Sequence, residues 1–321
     1  MVQLSVVVPM YNEARHIARS LAAVRRAAVR AGLSFELIVV DNGSDDDGPR
    51  IARQAGARVL SRPGLRIGAL RNQGAALSRG EWLAFIDADI EVPERWLTRL
   101  LRLHREQRGE VFALDCDTPA AAPWYARAWQ RRTLRSGALQ QAARWLPSAN
   151  LLLPRDCFEA VGGFDEGLTT GEDKDLTVRL HQAGVRLLAV REPVVLHWGF
   201  EGRWGEWLGK EMWRQGSHLH LLRSHGHSVR MLRFPLLSVA VWAVDGAAVL
   251  SAFLGYVPVA LGLLLLGTLP ALILSARQSL GQRDLLLGLQ LWWLHWIRLH
   301  LAGIALLLSL FNRPTRRPSR G

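Results

Sequence analysis

Four short apolar runs, each closing on a polar cluster and separated by helical patterns, constrain this chain more than any other feature. Leu4 to Val8, Phe35 to Val40, Ala57 to Leu60 and Trp82 to Ile86 have strand length and are rich in β-branched and aromatic residues. Between the first two, about Ala14 to Ala31, the residues Ile17, Leu21 and Val24 recur at the spacing of a helix with one apolar face. Ile67 to Ser78 reads as a further helix ahead of the fourth run. Strands alternating with helices predict an α/β domain around a mostly parallel, doubly wound sheet. Such sheets bind ligands beyond the carboxyl ends of their strands, so the residues following each run are the candidate site.

Those residues are polar. The first run passes into Pro9-Met10-Tyr11-Asn12-Glu13, the second into Asp41-Asn42-Gly43-Ser44-Asp45 and the fourth into Asp87-Ala88-Asp89. Any one of them alone also suits a turn or a helix cap. Asp87 and Asp89 lie two apart in an extended segment and point the same way. They can therefore converge on one hard divalent cation, which in turn could hold a diphosphate.

Taken together and in order, these segments resemble glycosyltransferase family 2, the inverting, nucleotide-sugar-dependent enzymes of GT-A (Rossmann-like) fold. The matching residues are Val6-Val7-Val8 into Pro9-Met10-Tyr11-Asn12-Glu13, Val39-Val40-Asp41-Asn42-Gly43-Ser44, Arg71-Asn72-Gln73-Gly74 and Phe85-Ile86-Asp87-Ala88-Asp89. Gly162-Gly163-Phe164-Asp165-Glu166 and Gly171-Glu172-Asp173-Lys174-Asp175-Leu176 follow, so the match covers about residues 4–200. The resemblance implies that Pro9, Tyr11, Glu13 and Asp41 line the pocket for the base and ribose of a UDP- or GDP-sugar, and that Arg71 meets the donor. It also implies that Asp87 and Asp89 form the Asp-x-Asp motif, with Asp89 the direct ligand of Mg²⁺ or Mn²⁺, and that Asp173 is the general base. His197 falls where some members place a further metal ligand, and a purely structural histidine is an equal alternative. One carboxylate base and one Lewis acid for the leaving group suffice for an inverting transfer. Glu172 and Asp175 are expected to point away from the base, Asp175 toward Arg179. Two departures stand out. The acidic turn Ser44-Asp45-Asp46-Asp47-Gly48 replaces the usual Ser-Thr-Asp, with no role assigned. The Gln-x-x-Arg-Trp motif of processive synthases is absent, Trp213-Arg214-Gln215 being nearest but in the wrong order, so addition of a single sugar is expected.

The second half of the chain reads differently. Phe234 to Ala276 is about 43 residues whose only charge is Asp245, interrupted near Gly255, Tyr256 and Pro258. That length fits two transmembrane helices joined by a tight turn. Two core helices of a soluble domain are the competing reading, but Leu261 to Leu266 is apolar on every face and needs burial all round. Leu285 to Phe311 carries Arg298 between His295 and His300, with Trp292, Trp293 and Trp296 in its first half. A third span and an interfacial helix both stay open for it. Residues 203–223, with Trp204, Trp207, Lys210, Trp213 and Arg214, read as an interfacial helix. Residues 118–149 combine Trp124, Tyr125, Trp129 and Trp145 with Arg127, Arg131, Arg132 and Arg135, which suits either a solvated amphipathic helix or an acceptor- or membrane-facing surface.

Charge supports this division. The net charge is +12, yet residues 203–321 alone, with 13 basic and 4 acidic side chains, contribute +9. The basic residues flank the apolar segments: Arg223, Arg230 and Arg233 before, Arg277 and Arg283 after, then Arg313, Arg316, Arg317 and Arg320. The positive-inside rule puts all three clusters, and with them the catalytic domain, on the cytoplasmic side of the inner membrane. No recognisable nucleic-acid module accompanies the charge. The opening apolar run lacks a basic n-region and reads as a strand rather than a signal peptide. Cys116 and Cys157 are too few for a disulfide framework, which fits a reducing compartment. The expected organisation is thus a GT-A domain over 1–202, interfacial helices over 203–233, a hydrophobic membrane region over 234–312 and a basic tail over 313–321. The expected activity is transfer of one sugar to a hydroxyl of a lipid or lipid-linked acceptor of envelope or polysaccharide type. A nucleotidyltransferase and an inactive scaffold that recruits a partner enzyme are the alternatives, the first disfavoured by Gly171-Glu172-Asp173 and the second by the retained Asp89 and Asp173.

Overall fold

The first four apolar runs are the strands β1 (Leu4–Met10), β2 (Phe35–Asp41), β3 (Arg58–Ser61) and β4 (Trp82–Ile86), all parallel and ordered β3-β2-β1-β4. In this computed structural model, residues 2–134, 137–168, 170–212 and 229–310 are described. Beyond β4 the sheet continues through β8 (Asn150–Pro154), β6 (Val111–Asp117), β9 (Leu187–His197) and β5 (Ile90–Glu91), while β7 (Gln140–Ala142) also pairs with β9. β8 runs antiparallel to both β4 and β6, so β6 is parallel to β4; β9 is parallel to β6, and β5 and β7 are antiparallel to β9. The sheet is therefore mixed but mostly parallel, and the carboxyl ends of β1, β2, β4, β6 and β9 share one edge.

Alternation along the strands builds two cores. Val6 and Val8 face Ile17, Leu21 and Val24 of α1 (Ile17–Arg30) and Trp96 and Leu100 of α4 (Trp96–Arg105). Val7, Ile38, Val40 and Phe85 face the other way, onto Leu70 of α3 (Ile67–Ala76), Phe158 of α6 (Arg155–Ala160), and Leu176 and Leu180 of α7 (Glu172–Gln182). The short α2 (Gly48–Gln54) follows β2. α3 lies so close to β1 that a Cβ on Gly74 would sit 2.2 Å from Val7 Cγ1. Gly74→Ala is accordingly expected to destabilise the chain by about 1–3 kcal/mol through overpacking, read as a lowered thermal midpoint. In β6 the register shifts between Leu114 and Cys116. The fully buried Asn150 of β8 spans that irregularity, its side chain accepting from Leu114 N at 2.6 Å and donating to Leu114 O at 3.1 Å.

The chain divides into two units, one of Met1–Pro119 with Gly137–Gly199 and one of Ala120–Ser136 with Phe200–Gly321. The second holds α5 (Trp124–Arg131), α8 (residues 204–212), α9 (Val229–Phe253), α10 (Val257–Ser279) and α11 (Leu285–Leu310). Residues 120–136, read from the sequence as part of the first domain, thus fall in the second. The reason is apolar packing: Tyr125, Ala126, Ala128 and Trp129 share a core with Trp207 of α8 and Leu287, Leu291 and Leu294 of α11. α9 and α10 form the predicted hairpin, turning at Gly255 in the left-handed region at φ +84°.

Phe234–Phe253 and Val257–Gln282 are long and apolar enough to cross a membrane, with mean hydropathies of 1.9 and 2.3. Leu261, Leu264, Leu265 and Leu266 are between 47 and 70% exposed in the protein alone. The all-round burial that two soluble core helices would require is therefore not supplied by the described residues. α11 buries Leu287, Leu291 and Leu294 against α5 and α8, and Leu299 against Val241 of α9 and Ala271 of α10. The motif Trp213-Arg214-Gln215, Arg135, Arg223 and the tail from Arg313 to Arg320 lie outside the described residues.

Candidate active site

The shared strand-end edge begins where β1 and β2 stop. Asn12 takes the left-handed conformation at φ 54°, its N–H donating to the Ser44 hydroxyl at 2.8 Å and its Oδ1 accepting from Asp45 N at 3.0 Å. Asp41, 3% exposed, accepts from Gly43 N and Ser44 N at 3.2 Å and from the Ser44 hydroxyl. The acidic turn with no assigned role proves structural in part. Asp46 accepts from Ala14 N and Gly48 N, both at 2.8 Å, lacing the first loop to the second, and Asp47 pairs with Arg50 at 2.7 Å. Asp45 is exposed. Pro9 is buried within β1, Glu13 is nearly buried and the Tyr11 ring is 55% exposed.

Next to this loop pair stands the end of β4. Arg71 of α3, 1% exposed, donates from Nη2 to Asp87 Oδ1 and from Nη1 to Glu172 Oε1, both at 2.8 Å. Its guanidinium also lies 5.4 Å from the Phe164 ring centre. Arg71, which the resemblance assigns to the donor, is thus engaged by two carboxylates. The adjacent Asn72 explains why two sequence motifs occur together. Its amide accepts from Phe164 N at 2.9 Å and donates to Phe164 O at 2.8 Å, pinning the Gly162-Gly163-Phe164 loop onto α3.

Asp173 occupies the first turn of α7, just after Gly171 at φ 79°. It accepts from Lys174 N at 2.7 Å. Burial raises its pKa above the ordinary aspartate value, and the Glu172 charge adds to the rise; the Lys174 N–H and the Arg71 charge act against it. Asp175 points elsewhere, as expected, and pairs with Arg179 at 2.6 Å.

Asp89 and His197 meet because β5 pairs antiparallel with β9, placing Ile90 opposite His197. His197 Nε2 lies 3.1 Å from Asp89 Oδ2, and Trp198 N donates to Asp89 O at 2.8 Å. Asp87, the third ligand that the resemblance offers, accepts from Arg71 through Oδ1. Among the described residues no group of three or more His, Cys, Asp or Glu side chains forms a metal-binding cluster. The sequence reading passed over Asp115 and Asp117 at the end of β6. Burial first, and then the charges of Asp89, Asp117, Asp87 and Asp115, push the Cys116 thiol far up. The signal was present: Leu114-Asp115-Cys116-Asp117 is a second Asp-x-Asp at the end of an apolar run.

A mostly parallel sheet with acidic strand ends along one edge is the arrangement of GT-A glycosyltransferases, and solved structures agree on the fold. A mannosyltransferase from Pyrobaculum calidifontis, in complex with GDP-Man and Mn²⁺, superposes with a TM-score of 0.57 at 18% identity, covering 97% of this chain and 88% of that one. S. aureus TarS 1-349 in complex with UDP-GlcNAc gives 0.51 at 14% identity, covering 97 and 93%. Residues 5–149 match the family model of glycosyl transferase family 2. Validoxylamine A glucosyltransferase of Streptomyces hygroscopicus subsp. jinggangensis is 28% identical over 236 residues, 62% of this chain and 55% of that protein. The glycosyltransferase AglE of Haloferax volcanii is 29% identical over 205 residues, 60 and 66%. The undecaprenyl-phosphate 4-deoxy-4-formamido-L-arabinose transferase of Pseudomonas savastanoi pv. phaseolicola is 32% identical over 139 residues, 41 and 40%. The chain spans about half the length of several curated relatives it matches.

Proposed function

We propose that this chain transfers one sugar from a UDP- or GDP-sugar, with inversion, to a hydroxyl of a lipid or lipid-linked acceptor at the cytoplasmic face of the inner membrane. The carrying observation is the Asp87–Arg71–Glu172 link, which brings the Asp-x-Asp strand end and the Asp173 turn into one site. In this reading the exposed Tyr11 ring, Glu13 and Asp41 receive the base and ribose, with Pro9 shaping the turn. Asp173 takes the proton of the acceptor hydroxyl as its oxygen bonds to the anomeric carbon. The bond from that carbon to the diphosphate breaks, and the leaving nucleotide carries away the electron pair. A single base without a covalent nucleophile gives inversion.

The donor set fits a divalent metal. Asp89 and His197 offer an oxygen and a nitrogen 3.1 Å apart, few enough that diphosphate oxygens would complete the shell. The imidazole makes Mn²⁺ a better match than Mg²⁺, whose preferred ligands are oxygens. Bound there, the ion would supply counter-charge to the departing diphosphate. The solved neighbours with GDP-Man and Mn²⁺ or with UDP-GlcNAc, and a relative named for undecaprenyl phosphate, support this reading.

Purified protein screened against UDP-, GDP- and dTDP-sugars should melt higher with its own donor, and no shift with any of them would remove the nucleotide-sugar assignment. EDTA is expected to stop turnover and Mn²⁺ to restore it; undiminished turnover in EDTA would exclude the metal. The full chain is expected to stay with membranes through high-salt washing and to come off only in detergent, whereas release by salt would mean that α9 and α10 do not span.

A further inference from the structure

Glu172 has no part in the chemistry just described, yet it is only 8% exposed and its partner Arg71 only 1%. The two are 101 residues apart in sequence, and a single guanidinium joins Glu172 at the start of α7 to Asp87 at the end of β4 with two bonds of 2.8 Å. Guanidinium geometry matters here: a planar fork can address two carboxylates at fixed separation, which a single ammonium cannot do. Arg71 Nε is buried without a hydrogen-bond partner. Leaving that donor unmatched works against stability, as expected where the side chain is placed for the reach of its two terminal nitrogens. Asn72 fixes the same turn of α3 by exchanging two hydrogen bonds with the Phe164 backbone.

We infer that Arg71 and Glu172 are positioning residues, a rigid strut that sets the separation between the donor side at Asp87 and the base Asp173. The inference rests on Asp173 being the base. It assigns Arg71 to the protein frame instead of the donor, and it gives Glu172 its first role: Glu172 directly precedes Asp173, so anchoring its carboxylate anchors the turn that presents the base. A misplacement of about 1 Å in a reacting constellation can cost about 10²-fold in rate.

The test uses the purified full chain in detergent, with UDP and GDP as binding probes and donor turnover as the rate. Glu172→Gln and Arg71→Lys are both expected to lower kcat by about 10²-fold while donor KM and nucleotide affinity stay as in the parent. The double variant should be no slower than the worse single one, because both break the same strut. Retained nucleotide binding shows that the unit is folded. If Arg71→Lys weakens UDP or GDP binding in step with the lost turnover, Arg71 is a donor ligand and the inference is overturned. Parental kcat in Glu172→Gln overturns it too, as does loss of both nucleotide binding and thermal stability in that variant, which would make Glu172 merely structural. Asp173→Asn is assayed in parallel. An active Asp173→Asn removes the base itself, whereas an inactive one beside a fully active Glu172→Gln removes only the strut.

Discussion

Asp173→Asn is expected to lower sugar transfer by about 10²–10⁴-fold, the usual worth of a general base, with nucleotide-sugar binding retained. The substitution keeps shape and an oxygen that accepts from Lys174 N, so the first turn of α7 has no reason to unwind; what disappears is the ability to take a proton. A pH profile makes the assignment sharper. The base works ionised, so the rate falls as pH drops through its pKa. Burial, with the Glu172 charge, holds that pKa above the ordinary aspartate value, so the acid limb should lie above the range of an exposed aspartate. Glu172→Gln removes a charge that raises the pKa and should move the limb to lower pH, in addition to slowing the reaction. Turnover by Asp173→Asn at the parental rate, or an acid limb indifferent to Glu172→Gln, would separate Asp173 from the chemistry.

What the sequence revealed and what it hid follow from the range of the interactions involved. The parallel strands β1 to β4 and helices α1 and α3 were legible because period and β-branching are local signals. The strand-end residues were legible because a parallel sheet gathers its carboxyl ends on one edge. The Arg71–Glu172 pair was not, since nothing local connects residues 101 positions apart. Likewise Asp87 and Asp89, two apart and extended, were expected to act on one ion. In the structure residues 88 and 89 instead form a turn, with Ile90 N donating to Asp87 O at 3.0 Å; Asp89 lies beside His197 and Asp87 accepts from Arg71. The clustering of residues 120–136 with the second unit was hidden for the same cause: α5 is short and amphipathic, and only tertiary packing says which core receives its apolar face.

Arg298→Ala should cost about 3–5 kcal/mol of stability, the range for stripping a buried charge of its partner, and it bears on the feature of α11 that the sequence left open. A charge near the middle of an apolar helix argues against a simple span, because hydrocarbon offers it nothing. In the structure the charge is answered within the helical unit. Arg298 Nε lies 3.4 Å from Glu211 Oε2, Trp129 donates from Nε1 to Glu211 Oε1 at 3.1 Å, and the guanidinium sits 4.2 Å from the Phe234 ring centre. The two partners are unequally protected, with the Glu211 side chain 1% exposed and that of Arg298 24%. Removing the arginine therefore takes the Oε2 ion-pair partner from a carboxylate with almost no access to water. Glu211→Gln keeps an acceptor for Trp129 and leaves an arginine that can still reach solvent with part of its guanidinium. The order of thermal midpoints for the full chain in detergent should accordingly be parent, then Glu211→Gln, then Arg298→Ala well below both. Equal midpoints for the two variants would mean that the pair is as hydrated as a surface ion pair, and that α11 meets water rather than protein at Arg298.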